Sequence, residues 1–215
     1  MIVLKVGGAS TAGAADAVRG LDDVCVVHGA GPQISAEMKR RGLPVEFVGG
    51  RRVTTAEALG VVRESFAAVN AELCAAIPQS VGLMGDEIGL QATRVPELGL
   101  VGDAVPCAST AVVDAIAAGF VPVVAPLAAG PLNVNADEMA AALAVGLRAE
   151  RIFFLTDVPG LLHGGSVVRS IHADDAEGLL AGGELDGGIL PKLRAAVTAA
   201  RLGVQTHIGV TAVTA

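Results

Sequence analysis

Six short runs, most of them apolar and three of them valine-rich, punctuate this chain, at Ile2 to Val6, Val24 to His28, Ser80 to Met84, Val121 to Ala125, Arg151 to Leu155 and Gln205 to Ile208. Alanine-rich stretches with helical spacing lie between most of them. A run that is apolar at nearly every position is a strand buried on both faces. Helices alternating with such strands predict a mostly parallel sheet covered by helices on both sides. With 215 residues the chain can bury a substantial core, as one compact domain or as two lobes sharing a sheet.

Side chains able to accept hydrogen bonds from free backbone N–H groups mark the helix starts. Thr54 with Glu57 forms a capping-box pattern and predicts one long helix from Thr54 to about Ile77. Ser109 precedes another helix, and Asn135 with Glu138 repeats the spacing. Val45 to Val53, interrupted by Gly49-Gly50, predicts a small hairpin. The proline-rich crossing from Pro126 to Pro131 is the best place to divide two lobes, 1–127 and 128–215.

Composition removes several function classes. A formal charge of −7 and the absence of Trp and Tyr argue against nucleic acid, which needs a basic stripe and stacking rings. Cys25, Cys74 and Cys107 are odd in number, widely spaced and set among apolar residues, so they read as small buried hydrophobes, with neither disulfide nor zinc expected. Met1 leads straight into the first strand, leaving no room for a secretory leader, and the longest uncharged stretch, Ala115 to Ala136, is broken by Pro122, Pro126 and Pro131. The expectation is a cytoplasmic protein with no membrane partner.

Lysine is scarce: three residues against twelve arginines. An ammonium is a compact point charge that can touch one phosphoryl oxygen in a tight space, whereas a guanidinium is a wide planar fork. Two of the three lysines sit where phosphate chemistry would use such a charge. Lys5 ends a strand that runs into Gly7-Gly8, whose backbone N–H groups can approach an anion closely, and Lys192 opens a helix after Gly187-Gly188. An ordinary turn and a solvated helix-terminal lysine would give the same letters.

Four further patterns carry candidate chemistry. His28-Gly29-Ala30-Gly31-Pro32-Gln33 follows a strand and opens a helix whose N-terminus attracts anions, although Pro32 is equally a plain start signal. Ile34 stands where a dinucleotide fingerprint needs a third glycine, and no Walker loop occurs anywhere. Asn133-Val134-Asn135-Ala136-Asp137 precedes a helix; capping accounts for Asn135 and Asp137 but not for Asn133. Thr156-Asp157-Val158-Pro159-Gly160 is either a turn or one side of a nucleotide pocket. Arg52 is either a surface arginine or a bidentate clamp for a carboxylate. His163, His172 and His207 show no ligand spacing, and no metal ligands are assigned.

Taken in order, KVGG, HGAGPQ, GRRVT, NVNAD, LTDVPG and GGILPK resemble the motif series of the amino acid kinase family, most closely its acetylglutamate kinase branch, from Lys5 to about Ile208. The resemblance implies an α/β fold, a three-layer αβα sandwich with an open, mainly parallel sheet. It implies an N-terminal lobe, 1–127, that binds acetylglutamate and dimerises, and a C-terminal lobe, 128–215, that binds ATP. Lys5 and Lys192 would hold the phosphoryl group in flight, Asp137 would orient both, and Gly8 and Gly31 would donate backbone N–H bonds to it. Ala30, Gly31, Arg52, Asn133 and Asn135 would surround N-acetyl-L-glutamate, with Arg52 on its α-carboxylate. Lys5, Gly7, Gly8, Thr156, Asp157, Gly160 and Lys192 would lie at the ATP, with Mg2+ held mainly through its phosphates. A homodimer is implied as well.

The implied chemistry suits this residue set. A side-chain carboxylate, with a pKa of about 4.3, is already the nucleophile at neutral pH, so no general base is needed. What remains is repulsion between two anions and charge spread in the transition state, which fixed cations and backbone donors offset. Related acceptors, N-acetyl-aminoadipate or carrier-linked glutamate or aminoadipate, stay open, because one methylene is worth only about 1 to 3 kcal/mol in a pocket. A non-catalytic ligand sensor of the same fold is the remaining alternative. Three departures from the family pattern set further expectations. Ala30 interrupts a glycine triplet and requires a negative φ there. The chain starts at the first strand, which predicts weak or no arginine inhibition and no hexamer built on an N-terminal helix. It also stops soon after Val210, where relatives continue through a helix and a strand, which leaves one sheet edge and the far side of the nucleotide pocket open.

Overall fold

The computed structural model describes residues 1–7, 11–183, 185 and 187–215. The chain runs β1 (Ile2–Val6), α1 (Thr11–Val18), β2 (Val24–His28), α2 (Gly31–Arg40), β3 (Phe47–Val48), β4 (Arg51–Arg52) and α3 (Ala56–Ala76). Next come β5 (Ser80–Met84), β6 (Gln91–Arg94), β7 (Val101–Val105), α4 (Thr110–Ala117), β8 (Val121–Ala125), β9 (Leu127–Ala128), β10 (Leu132–Val134) and α5 (Ala136–Gly146). The final part is β11 (Arg151–Phe154), β12 (Leu162–His163), β13 (Ser166–Val167), β14 (Ser170–His172), α6 (Ala173–Gly182), α7 (Ile189–Arg201), β15 (Gln205–Ile208) and β16 (Thr211–Thr214).

Eight strands form the main sheet in the order β14-β16-β15-β11-β1-β2-β8-β5. All six runs singled out from the sequence lie in it as parallel neighbours, and β16 turns back antiparallel to β15 with β14 parallel to β16 at the edge. Alternation along each strand divides the core into two layers. Val3, Cys25, Val27 and Ile152 pack with Leu143 of α5 and Leu193 of α7, while Leu4, Val24 and Val26 pack with Ile34 of α2 and Phe66 of α3. The result is the three-layer αβα sandwich.

Local details refine the sequence reading. Gly49 and Gly50 both have positive φ, +58° and +84°, as a two-residue hairpin turn requires, and β3 pairs antiparallel with β4. The long helix is present, but its cap is Thr55, whose Oγ1 accepts from the N–H of Ala58 at 3.1 Å. Thr54 is used otherwise: its N–H donates to Leu98 O and its carbonyl accepts from Leu100 N–H, which keeps its backbone extended and moves the helix start on by one residue. Ser109 precedes α4 without capping it, because its Oγ donates to Ile88 O. Only Cys25 is fully buried, its thiol pushed up to about 12 by burial; Cys74 and Cys107 are half-buried. After Ile208 the chain turns through Gly209 and Val210 into β16, so a strand does follow Val210 and helps close that edge of the sheet.

Topology places the site. β1 lies between β2 and β11, so the chain leaves it toward one side of the sheet and returns on the other. Such a switch opens a crevice outside the carboxyl ends of the strands. A second sheet, β6-β7-β10-β9, carries Asn133 and feeds directly into α5.

Candidate active site

A cavity of about 770 Å³ opens at the carboxyl ends of β1 and β2 and at the first turns of α2, α5 and α7. Of the thirteen positions singled out from sequence, twelve line it. The thirteenth, Gly8, lies outside the described residues.

Lys5 follows from strand alternation. Val3 packs in the α5/α7 layer, so Lys5 points into the same layer, where Asp137 sits in the first turn of α5. Lys5 Nζ is 2.8 Å from Asp137 Oδ1, with both side chains 6% exposed. Lys192, in the first turn of α7, brings its Nζ to 3.6 Å from that same oxygen and within 3.4 Å of Gly188 O. Two cations from opposite ends of the chain therefore share one carboxylate oxygen. Burial first, and the neighbouring Lys5 ammonium next, hold Lys192 below its ordinary pKa, with Asp137 working in the other direction. The cluster carries one positive charge in excess and faces the cavity.

Asn135 lines the cavity at this end and also has a structural role. Its Oδ1 caps α5, accepting from the N–H groups of Asp137 at 2.9 Å and Glu138 at 3.3 Å. The cap fixes the turn that carries Asp137.

At the hairpin end the guanidinium of Arg52 is buried. It donates to Ser35 Oγ at 2.7 Å and Gly31 O at 3.1 Å, lies against Met38 Sδ, and has the Phe47 ring 4.6 Å away. Among the described residues no carboxylate pairs with it, and burial pushes its pKa down. A buried cation with only neutral partners is costly, and an anionic ligand would offset that cost. Ala30 has φ −143°, the negative value its methyl group requires, and it leads into Gly31 at the start of α2. Arg51, next to Arg52 on the hairpin, binds Glu138 through two hydrogen bonds of 3.0 Å and Asp103 at 2.5 Å, tying the hairpin to the helix of Asp137. Burial raises the pKa of Glu138, with Arg51 opposing.

The third region of the cavity is lined by the loop from Thr156 to Gly160 and by Leu185 and Ile189. Gly160 has a packing reason of its own: a Cβ there would fall 2.5 Å from Thr211 Oγ1, which already accepts from Leu161 N–H and donates to Val168 O. The apolar side chains Val158, Leu162, Leu185 and Ile189 line this end of the cavity, a feature that the sequence reading missed. It also missed Thr54, Ser35 and Phe47. The doublet Thr54-Thr55 was the available signal, since a cap needs only one hydroxyl. Among the described residues, no cluster of three His, Cys, Asp or Glu gathers, and no helix is long and apolar enough to cross a membrane.

The family model described as the amino acid kinase family matches residues 1–209. The chain is 42% identical over 221 residues to an acetylglutamate kinase of Rubrobacter xylanophilus, covering 96% of this chain and 87% of that one. It is 39% identical over 230 residues to an acetylglutamate kinase of Methanopyrus kandleri, covering 97% and 94%. Among solved structures, smu.665 from Streptococcus mutans superposes with a TM-score of 0.88 at 26% identity, covering 99% and 98%.

Proposed function

Because the chain belongs to the amino acid kinase family, we propose that it transfers the γ-phosphoryl group of ATP to the side-chain carboxylate of N-acetyl-L-glutamate, giving N-acetylglutamyl 5-phosphate and ADP in arginine biosynthesis. The observation that carries this reading is Asp137 Oδ1 held between Lys5 and Lys192, with an acid-free Arg52 lining the same cavity. The cations suit two anionic reactants that repel each other. In the transition state the ammonium groups meet charge spread over the equatorial oxygens, while backbone N–H groups at the start of α2 face the same region. Arg52 binds the α-carboxylate and Asn133 the acylamino group. The loop from Thr156 to Gly160, with the apolar side chains of Leu162, Leu185 and Ile189 at the same end of the cavity, takes the nucleotide. Asp137 is already engaged by two ammonium groups, so Mg2+, which lowers the charge repulsion of the triphosphate, would be carried by phosphate oxygens.

In this reading residues 1–127 form the acceptor-binding and dimerising lobe and residues 128–215 the nucleotide lobe, on one continuous sheet. The enzyme acts in the cytoplasm as a homodimer. Support for the dimer comes from β5, an edge strand, and from the adjoining α3, which exposes Ala67, Ala68, Ala71 and Ala75. Sedimentation at a monomer mass of 21.4 kDa would contradict it.

The test is incubation with Mg-ATP, acceptor and hydroxylamine, which traps an acyl phosphate as its hydroxamate. N-acetylglutamate is expected to give hydroxamate faster than N-acetyl-aminoadipate or glutamate. A faster yield from another acceptor would reassign the substrate. No hydroxamate from any acceptor, with ATP still bound, would leave a ligand sensor of this fold.

A further inference from the structure

We propose that Thr54 is a positioning residue: its hydroxyl turns the carboxamide of Asn133 so that the carbonyl oxygen, rather than the NH2 group, faces the acceptor end of the cavity. The enzyme thereby selects acceptors that present an N–H at the α-nitrogen. This rests on the carboxyl-kinase reading above and deepens it.

A threonine hydroxyl has one proton to give. Thr54 Oγ1 lies 2.8 Å from the carbonyl oxygen of Arg52, which can only accept, so the proton goes there. The side of Oγ1 that faces Asn133, at 3.0 Å, is therefore a lone pair, and only an NH2 group can meet it. With Nδ2 committed, Oδ1 is the end left over. Asn133 lines the cavity, and among the described residues its Oδ1 accepts no hydrogen bond.

The lock is rigid because both residues are fixed through their backbones. Thr54 is fully buried and Asn133 nearly so. Thr54 N–H donates to Leu98 O at 2.9 Å, Leu100 N–H donates to Thr54 O at 2.7 Å, and Asn133 N–H donates to Leu100 O at 2.9 Å. Gly99 lets these segments close up: its φ is +84°, and a Cβ there would fall 2.5 Å from Thr54 O. The same hydroxyl holds the main-chain carbonyl of Arg52, so one side chain ties together Asn133 and the backbone of Arg52, both of which line the cavity. A buried carbonyl repels a carboxylate or an ester oxygen and is matched by a donor. On an N-acylamino acid that donor is the amide N–H.

The test compares N-acetylglutamate with 2-acetoxyglutarate, in which an ester oxygen replaces the N–H at nearly the same shape. The wild-type enzyme is expected to prefer the amide in kcat/KM by about 10- to 100-fold, the range of one lost hydrogen bond facing an unpaired partner. In Thr54→Val the carboxamide is free to turn, and the preference is expected to fall below about threefold, carried by KM. Thr54→Ser restores it. Should circular dichroism show Thr54→Val unfolded, Thr54→Ala replaces it in the same comparison. A wild-type preference below about threefold, or an unchanged preference in the folded variant, overturns the assignment of Thr54 while leaving the kinase reading intact. Turnover of neither compound, with another carboxylate phosphorylated, removes both the assignment of Thr54 and N-acetylglutamate as the acceptor, and leaves a carboxyl kinase for a different substrate.

Discussion

Replacing Asp137 by Asn keeps the shape of the site and removes its one shared negative charge. Lys5 Nζ at 2.8 Å and Lys192 Nζ at 3.6 Å then face each other with no acid between them. Lys5 has little contact with water, its side chain being 6% exposed, whereas Lys192 at 15% lies nearer the opening. Removing one partner of a buried pair costs about 3 to 5 kcal/mol, most of it the stranded charge. Loss of an acid from the first turn of α5 adds about 0.3 to 1 kcal/mol. Against a domain stability of about 5 to 15 kcal/mol this is a large fraction. Urea unfolding at pH 7 reads it directly. Adding Lys5→Met to Asp137→Asn is expected to recover about 2 kcal/mol or more, because the stranded ammonium is gone. Saturating ATP is expected to stabilise Asp137→Asn more than wild type, since the triphosphate supplies the missing charge. An Asp137→Asn variant within about 1 kcal/mol of wild type would refute the reasoning, because the shared carboxylate would then not be holding two buried cations.

Other consequences follow from the same geometry. Arg52→Met is expected to raise KM for N-acetylglutamate about 10- to 100-fold, the worth of a charge-assisted hydrogen bond, with KM for ATP changed less than about threefold; equal effects on both substrates would contradict the placement of Arg52 at the acceptor. Lys192 must be protonated to act, and burial with Lys5 holds its pKa below 10.5, so the alkaline limb of kcat/KM falls below that pH. Asp137→Asn removes the opposing influence and moves the limb lower still. His28, buried with Nε2 accepting from Asn70 Nδ2 at 3.1 Å, has its pKa lowered to about 4 by burial. The unfolded chain binds that proton first, so stability is full above about pH 6.5 and falls by about 3 kcal/mol as pH drops toward 4. His28→Gln should flatten that part of the stability profile, and an unchanged slope would assign the acid sensitivity to other groups.

The main sheet was legible because its inner strands β1, β2 and β8 are buried along nearly their whole length, which writes them as almost unbroken apolar runs. The strands that were not legible are short or half-exposed. β6, Gln91–Arg94, shows no alternation, and β14 and β16 carry three and four residues with polar ends. The lysine pair was legible through scarcity and motif order, and Asn135 through its capping spacing. Thr54 was misread as a cap because its partners are fixed by the fold: Asn133 lies 79 positions away, and Leu98 and Leu100 belong to a turn with no pattern of its own. The buried Arg52 was open from sequence for the same reason. Its burial depends on Ser35, Met38 and Phe47 meeting around it, and nothing in the doublet Arg51-Arg52 says which arginine turns inward and which pairs with Glu138.

The account's central claim is that two compact ammonium groups, from the first strand and the last long helix, act together on the phosphoryl group in flight. Its most direct test is Lys192→Arg, with kcat and the dissociation constant of ATP measured separately. The charge is kept and the point is exchanged for a fork, so kcat is expected to fall about 100-fold or more, while ATP affinity changes by less than about fivefold. A folded Lys192→Arg variant that turns over within about twofold of wild type would contradict the claim.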